Sequence, residues 1–349
     1  MLCGMTYQSV VLGGSGYAGA ELLRLLAAHP EIDVVGVSAD SNVGVAVADL
    51  YPSLAQSYPS LVYEAPDAVA FDGLDVVFCT LPHGHSQALA PKLVDTVAHV
   101  IDLGADFRLP QADYEHWYGE PHAAPELIGR FTYGLTELYR DELTGARHVA
   151  APGCYPTTAS LALAPLLAGG LVEPTGIVVD AVSGVSGAGR ALKATSLFAE
   201  VSDNVTAYGL LTHRHTAEME QALTHVAAQP VQVLFTPHLV PMSRGILATC
   251  YAQPAATGLD TAGLLALYAE YYADEPFVVV DERSPSTKAT LGSNSVHLTV
   301  RFDERTGTVL AIGALDNLTK GAAGQMVQDA NLLLGLPEPL GLPIAGVMP

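Results

Sequence analysis

Residues 7–19 read YQSVVLGGSGYAG. YQSVVL is a short apolar run with the look of a buried strand, and Gly13, Gly14, Ser15, Gly16, Tyr17, Ala18 and Gly19 follow without a break. AELLRLLAAH comes next and sets Leu22, Leu25 and Leu26 on one helical face. Gly14 to Gly19 fit G-x-G-x-x-G, and Gly13 adds a second reading as G-x-x-G-x-x-G. A strand that turns through such a loop into a helix is the setting a dinucleotide requires. The glycines allow a tight turn, and a pyrophosphate can approach the helix N-terminus, where unbonded N–H groups and the helix dipole favour an anion. A glycine-rich turn with no ligand is the competing reading, and the βαβ context favours the nucleotide.

Outward from this stretch, IDVVGVS, DVVFCTL (75–81) and HVIDLG (99–104) read as further strands, with SQALAPKLV as a helix after Pro82. Strands alternating with helices predict a parallel, doubly wound sheet, and the pattern fades near residue 150. From 175 the texture changes. TGIVVDAVSG, VQVLFTPHLV, GILATCYAQ, FVVVDE, SVHLTVRFDE and TVLAIGALDN are strands with few helices between them, apart from LLALYAEYYADE and the helical 317–334. The expected fold is α/β. A Rossmann-type dinucleotide-binding domain spans 1–150, and an α+β catalytic and oligomerisation domain with a largely antiparallel sheet spans 151–316.

The chain has 349 residues, half of them apolar, which suits two domains and rules out global disorder. A formal charge of −21 disfavours nucleic acid and an anionic membrane surface as partners. With only 15 Lys and Arg in the chain, each one near a motif is informative. Four cysteines without a C-x-x-C pair are no disulfide framework and fit a reduced cytoplasm. No Lys or Arg precedes Arg24, so the charged start of a signal peptide is missing. Val149–Val172 carries no charge, but Pro152, Gly153, Pro156, Pro165, Gly169 and Gly170 interrupt it. It reads as a loop and a short buried helix rather than a membrane span.

The second strand bears on the nucleotide. NAD sites usually end this strand in an acid that binds the ribose hydroxyls, and here it ends in Ser38, with Asp40 and Ser41 beyond. Serines can bond a 2′-phosphate that an acid would repel, so NADP is expected, with Asp40 close enough to keep NAD open. Pro82, His83 and His85 follow the strand DVVFCTL, at the carboxyl edge where a cofactor lies in such folds, and are read as a cofactor loop.

APGCYPTT (151–158) places Cys154 between a glycine turn and a proline, at or beside the start of the helix ASLALAPLL. A helix N-terminus lowers a thiol's pKa and yields a nucleophilic thiolate. The competing reading, a buried structural cysteine, is assigned to Cys3, Cys79 and Cys250. His213-Arg214-His215 precedes the helical TAEMEQAL and offers a general acid/base for that thiol. An extended segment would turn both rings to one side, so both stay candidates, with His215 favoured. A metal site built from the two H-x-H pairs is discounted, because neither pair has a third ligand at metal spacing. SGVSGAGR (183–190) is a loop of small residues ending in Arg190 that can approach a flat ring or an anion. Arg108 in GADFRL and Arg244 in VPMSRGI are further anion-binding candidates, Arg108 equally suiting a surface ion pair.

Taken together, GGSGYAGAELLRLL, LPHGHS, DLGADFRL, YGLTEL, APGCYPTTA, SGVSGAGR, HRHTAEM and ALDNLTKGAAGQMVQ resemble the N-acetyl-γ-glutamyl-phosphate reductases of arginine biosynthesis, relatives of aspartate-semialdehyde dehydrogenase. The resemblance runs from residue 13 to about 330. It implies NADPH-dependent reduction of a small acyl phosphate to an aldehyde through a thioester on Cys154, with His215 or His213 as acid/base. It also implies Ser186, Gly187 and Asn317 near the nicotinamide, a C-terminal helix (about 317–349) that returns to the first domain, and a homodimer or homotetramer. The alternatives are reduction of an aminoadipyl phosphate in lysine biosynthesis, aspartate-semialdehyde dehydrogenase, a metal-dependent hydrolase, and a nucleotide-binding protein without chemistry. The charge of −21 counts against a substrate presented on an acidic carrier protein.

Overall fold

The structure, a computed structural model, describes residues 6–348; Cys3 lies outside them. The chain divides into two compact units, one running to Pro152 and resuming over Ala322–Leu342, the other spanning Gly153–Gly321 and the residues from Pro343 on.

The first unit holds six strands: β1 (Tyr7–Leu12), β2 (Ile32–Val37), β3 (Val76–Cys79), β4 (His99–Asp102), β5 (Phe131–Tyr133) and β6 (His148–Ala150). Their order is β2-β1-β3-β4-β6-β5, and every pair is parallel. Central β3 is buried at every position, as expected for a strand covered on both faces. The sequence reading missed β5 and β6. Each is three residues long, β5 at the sheet edge and β6 beside it, too short for alternation to show. Helix Tyr17–Leu26 buries Leu22, Leu23, Leu25 and Leu26.

The second unit holds β7 (Ile177–Ser183), β8 (Thr206–Ala207), β9 (Val233–Leu239), β10 (Ile246–Ala252), β11 (Val278–Val280), β12 (Val296–Asp303) and β13 (Thr308–Leu315). They form one sheet in the order β11-β12-β13-β10-β7-β9-β8. Only β11–β12 and β7–β9 pair in parallel, so the expected antiparallel character holds. Helix Cys154–Ala168 packs on β10, β12 and β13 and against helix His215–Ala227. Every position from Tyr155 to Leu167 is buried. A helix that is apolar all round is a core helix, which accounts for the uncharged stretch that contains it. Among the described residues no helix is long and apolar enough to cross a membrane.

Candidate active site

Cys154 is the first residue of its helix, with Gly153 as the N-cap in extended backbone (φ −73°, ψ 154°) and Pro156 inside the first turn. Thr157 N–H donates to the Gly153 carbonyl at 3.0 Å, closing that turn. The thiol is half-buried, whereas Cys79 and Cys250 sit wholly buried in β3 and β10. Burial drives both of those thiols well above their usual range, so neither competes as a nucleophile. Behind Cys154 lies the turn Thr319–Ala323, which is π-helical. A Cβ on Gly321 would come within 2.7 Å of the Cys154 Cβ, so only glycine fits there.

Helix His215–Ala227 brings the imidazole. The His215 ring lies against Gly153, where an added Cβ would meet its Nε2 at 2.5 Å. Glu218, one turn along and fully buried, accepts a hydrogen bond from Gly153 N–H at 3.0 Å through Oε2, while its Oε1 stands 3.9 Å from His215 Nε2. One carboxylate thus ties the start of the cysteine helix to the start of the histidine helix. Glu218 was not singled out from the sequence; an acid three residues after His215 on a helix was its only signal.

His213 has a different place. The segment is not extended as the sequence reading supposed: Arg214 is in the α region (φ −60°, ψ −27°), and the chain turns into the helix there. His213 Nδ1 accepts the His215 backbone N–H at 3.2 Å, a cap on the new helix that brings the two ring centroids to 4.8 Å. Both rings do reach one cavity, through a turn rather than a strand. Burial, with His215 beside it, lowers the His213 pKa to about 3, so this ring is neutral at physiological pH.

The cavity has a volume of about 750 Å³ and lies within the second unit. Cys154, His213, His215 and Gly187 line it, together with two cations, Lys193 and Arg214. Tyr155 and Tyr208 also face it, their hydroxyls 3.0 Å apart. Lys193 was missed because nothing in its local sequence marks it; only the fold of the exposed segment brings it here. Replacing Gly153 by alanine is expected to lower kcat roughly ten-fold or more while the melting temperature hardly moves. Its backbone suits any residue, so the added methyl acts on the imidazole rather than the fold. An unchanged kcat would show that His215 has no need of this place.

The loop Ser183–Arg190 reaches the same cavity through Gly187, and Asn317 holds it. Its Nδ2 donates to Ser186 Oγ at 3.0 Å, while its Oδ1 accepts Gly245 N–H at 2.7 Å. Ser186, Gly187 and Asn317 therefore come together. Arg190 is exposed at the loop's end and does not line the cavity. Arg244, expected to bind an anion, is paired with buried Asp316: its Nη2 and Nε lie 2.9 and 3.2 Å from Asp316 Oδ1. Arg108 belongs to the first unit and is no surface ion pair; it is buried, and its Nη2 donates to the Leu103 carbonyl at 2.6 Å.

The glycine loop has the form a pyrophosphate needs. Gly13 is left-handed (φ +79°), and a Cβ there would lie 2.6 Å from the Thr80 carbonyl oxygen. Gly19 packs so closely on the loop that its Cβ would be 2.6 Å from Gly14 Cα. Gly16 caps the helix Tyr17–Leu26, whose first-turn N–H groups have no partner inside the helix. Tyr51 Oη donates to the Ser15 carbonyl at 2.8 Å, bracing the loop from outside. The residues present fit a dinucleotide. Ser38, however, does not read the ribose: it is fully buried, and its Oγ accepts Gly13 N–H at 3.4 Å. Asp40 and Ser41 are exposed just beyond, with Asn42 donating to Ser41 Oγ at 3.2 Å. Pro82 is exposed after β3, and the histidines beside it diverge. His83 lies 3.0 Å from Asp106 and 2.8 Å from Glu120 and packs at a tilt against the Tyr118 ring, while His85 opens the next helix.

Two family models match: the semialdehyde dehydrogenase NAD binding domain over residues 9–146 and the semialdehyde dehydrogenase dimerisation domain over 154–317. An N-acetyl-gamma-glutamyl-phosphate reductase of Symbiobacterium thermophilum is 50% identical over 347 residues, covering 98% of this chain and 99% of that protein. Among solved structures, aspartate semialdehyde dehydrogenase II of Vibrio cholerae, complexed with ASA, superposes with a TM-score of 0.72 at 16% identity, over 95% of this chain and 99% of that one. The aspartate semialdehyde dehydrogenase of Candida albicans, solved with NADP, gives 0.64 at 14% identity, over 94% and 98%. With half its residues shared over nearly its whole length, and with a cysteine at a helix start beside a histidine, the chain belongs to the N-acetyl-gamma-glutamyl-phosphate reductase family of semialdehyde dehydrogenases.

Proposed function

We propose that this chain reduces N-acetyl-γ-glutamyl phosphate to N-acetylglutamate semialdehyde with release of inorganic phosphate. The observation that carries this reading is Cys154 at the first position of its helix, with His215 seated on the adjoining Gly153 and both facing one cavity. The Cys154 sulfur attacks the acyl carbon, the acyl–phosphate C–O bond breaks, and phosphate leaves with the electron pair. A thioester remains on Cys154. NADPH supplies the hydride that reduces the thioester carbon. His215 protonates the oxygen that develops charge and takes that proton back as the carbon–sulfur bond breaks, so the aldehyde leaves and the thiolate is restored. Lys193 and Arg214 provide the positive charge that the substrate's phosphate and carboxylate require in an otherwise acidic protein.

NADP(H) is the proposed cofactor. Gly13, Gly14, Ser15, Gly16, Tyr17, Ala18 and Gly19 hold the pyrophosphate, Ser41 meets the 2′-phosphate in place of Ser38, and Ser186, Gly187 and Asn317 form the small-residue loop for the nicotinamide. Homodimerisation is proposed through the face of the seven-stranded sheet opposite helix Cys154–Ala168, where Leu234 and Tyr251 stand exposed; the mass in solution checks it. Buried, unbridged Cys79 and Cys250 support a cytoplasmic location.

The test is a panel of aldehyde oxidations run in reverse, with NADP or NAD and inorganic phosphate. N-acetylglutamate semialdehyde is set beside its one-carbon-longer and aspartate analogues. The expected result is a phosphate-requiring reaction whose kcat/KM is highest for N-acetylglutamate semialdehyde with NADP. Preference for the longer aldehyde would move the chain to the aminoadipyl reaction. Preference for NAD would give the ribose to Asp40.

A further inference from the structure

Asp316 is fully buried at the end of β13 and collects hydrogen bonds from every side. Its Oδ1 accepts from Arg244 Nη2 (2.9 Å) and Nε (3.2 Å), and from the backbone N–H groups of Leu318 (2.9 Å) and Thr319 (3.1 Å). Its Oδ2 accepts from Gly292 N–H at 2.7 Å. Arg244 Nη2 also donates to Thr319 Oγ1 at 2.9 Å, so the guanidinium spans the turn. The Asp316 carbonyl accepts Gly321 N–H at 3.0 Å, the i to i+5 bond of a π-helical turn, a form that recurs at functional sites.

The two ends of this turn meet the reaction from different sides. Gly321 is the residue against which Cys154 rests, with room for no side chain between them. Asn317, next to Asp316, donates to Ser186 Oγ, and the Gly187 Cα lies beside the same amide. The backbone that supports the thiol and the side chain that holds the glycine loop are therefore set by one carboxylate. An ion pair whose carboxylate is fully buried, with this many oriented donors, is costly to assemble, and a hydrophobic substitute is often as stable. Its geometry, rather than its energy, is the feature that bears on the site.

We propose that Asp316, clamped by Arg244, is a positioning residue that sets Cys154 and the Ser186–Gly187 loop from a single buried turn. It touches no reacting atom; it acts through Gly321 and Asn317. The proposal rests on the reading of Cys154 as the nucleophile.

The experiment compares the wild-type chain with Asp316→Asn and Arg244→Lys. It reads the rate of Cys154 alkylation by iodoacetamide without cofactor, kcat and KM separately, and the melting temperature. Asp316→Asn keeps the shape and loses the charge; Arg244→Lys keeps the charge and loses the two-pronged grip. Each variant is expected to lower both the alkylation rate and kcat about ten- to a hundred-fold, with KM changed far less. If Asp316→Asn does not fold, Arg244→Lys decides on the same readouts. A folded variant with alkylation and kcat within about two-fold of wild type overturns the proposal, whatever its melting temperature, because a structural pair alone moves only stability. Alkylation of wild type serves as the control for the nucleophile. If complete modification of Cys154 leaves turnover intact, it is the nucleophile reading that has failed.

Discussion

Replacing Cys154 by serine is expected to abolish turnover, by at least about 10³-fold, while the chain still folds and binds the nicotinamide nucleotide. Serine is nearly the same size, and the half-buried position at the helix start tolerates a hydroxyl. An alcohol at this place is not ionised near neutral pH, whereas a thiol at a helix N-terminus is readily converted to thiolate. The nucleotide loop belongs to the other unit and is untouched by the change. Cys79 and Cys250 cannot substitute, since both are fully buried and burial raises their thiols. Alkylating reagents should accordingly modify Cys154 before either of them. Retention of more than about a tenth of kcat, a loss below about 1.4 kcal/mol, would remove Cys154 from the role of nucleophile.

The second large effect belongs to His215. Changing it to asparagine should lower kcat by roughly 10²–10⁴ and flatten one limb of the pH–rate profile, as loss of a general acid/base does. Changing His213 to asparagine should leave that limb in place. Its pKa of about 3 means that it does not titrate in the working range, and its Nδ1 is used as the cap on the His215 N–H. The His213 variant should therefore raise KM and lower kcat modestly, through a less firmly held helix start. The pH profiles of the two variants separate the roles. If the limb vanished in the His213 variant and survived in the His215 variant, the assignment would be reversed. If both kept it along with near-normal kcat, neither ring would serve the thiol.

Local sequence carried a large part of this site. Cys154 at a helix start was legible because Gly153 and Pro156 constrain the backbone within a few residues, and the structure puts Cys154 at that start. The glycine loop was legible because the left-handed backbone of Gly13 and the close packing of Gly19 on Gly14 both require glycine. The order of the two histidines was not, since it depends on Arg214 turning the chain and on a cap formed by the side chain of His213. Ser38 stands at the strand end where expected, but the strand's register turns its hydroxyl inward to Gly13, a contact across sequence that spacing does not reveal. Arg244 resembled an anion binder because cations are scarce, and its partner Asp316 is 72 residues away. Lys193 and Glu218 enter the site only through packing of the second unit. For Ser38, Arg244 and Glu218, what failed to show in the sequence was a polar contact between residues far apart along the chain.

The most direct test of the account is to mix the chain with N-acetyl-γ-glutamyl phosphate in the absence of reduced nucleotide and measure its intact mass, then map the modified peptide. The account predicts one N-acetylglutamyl group per chain, bound as a thioester to the peptide containing Cys154, formed with release of one phosphate and discharged as the semialdehyde when NADPH is added. No adduct, or an adduct on any other residue that is competent to react onward, would contradict it.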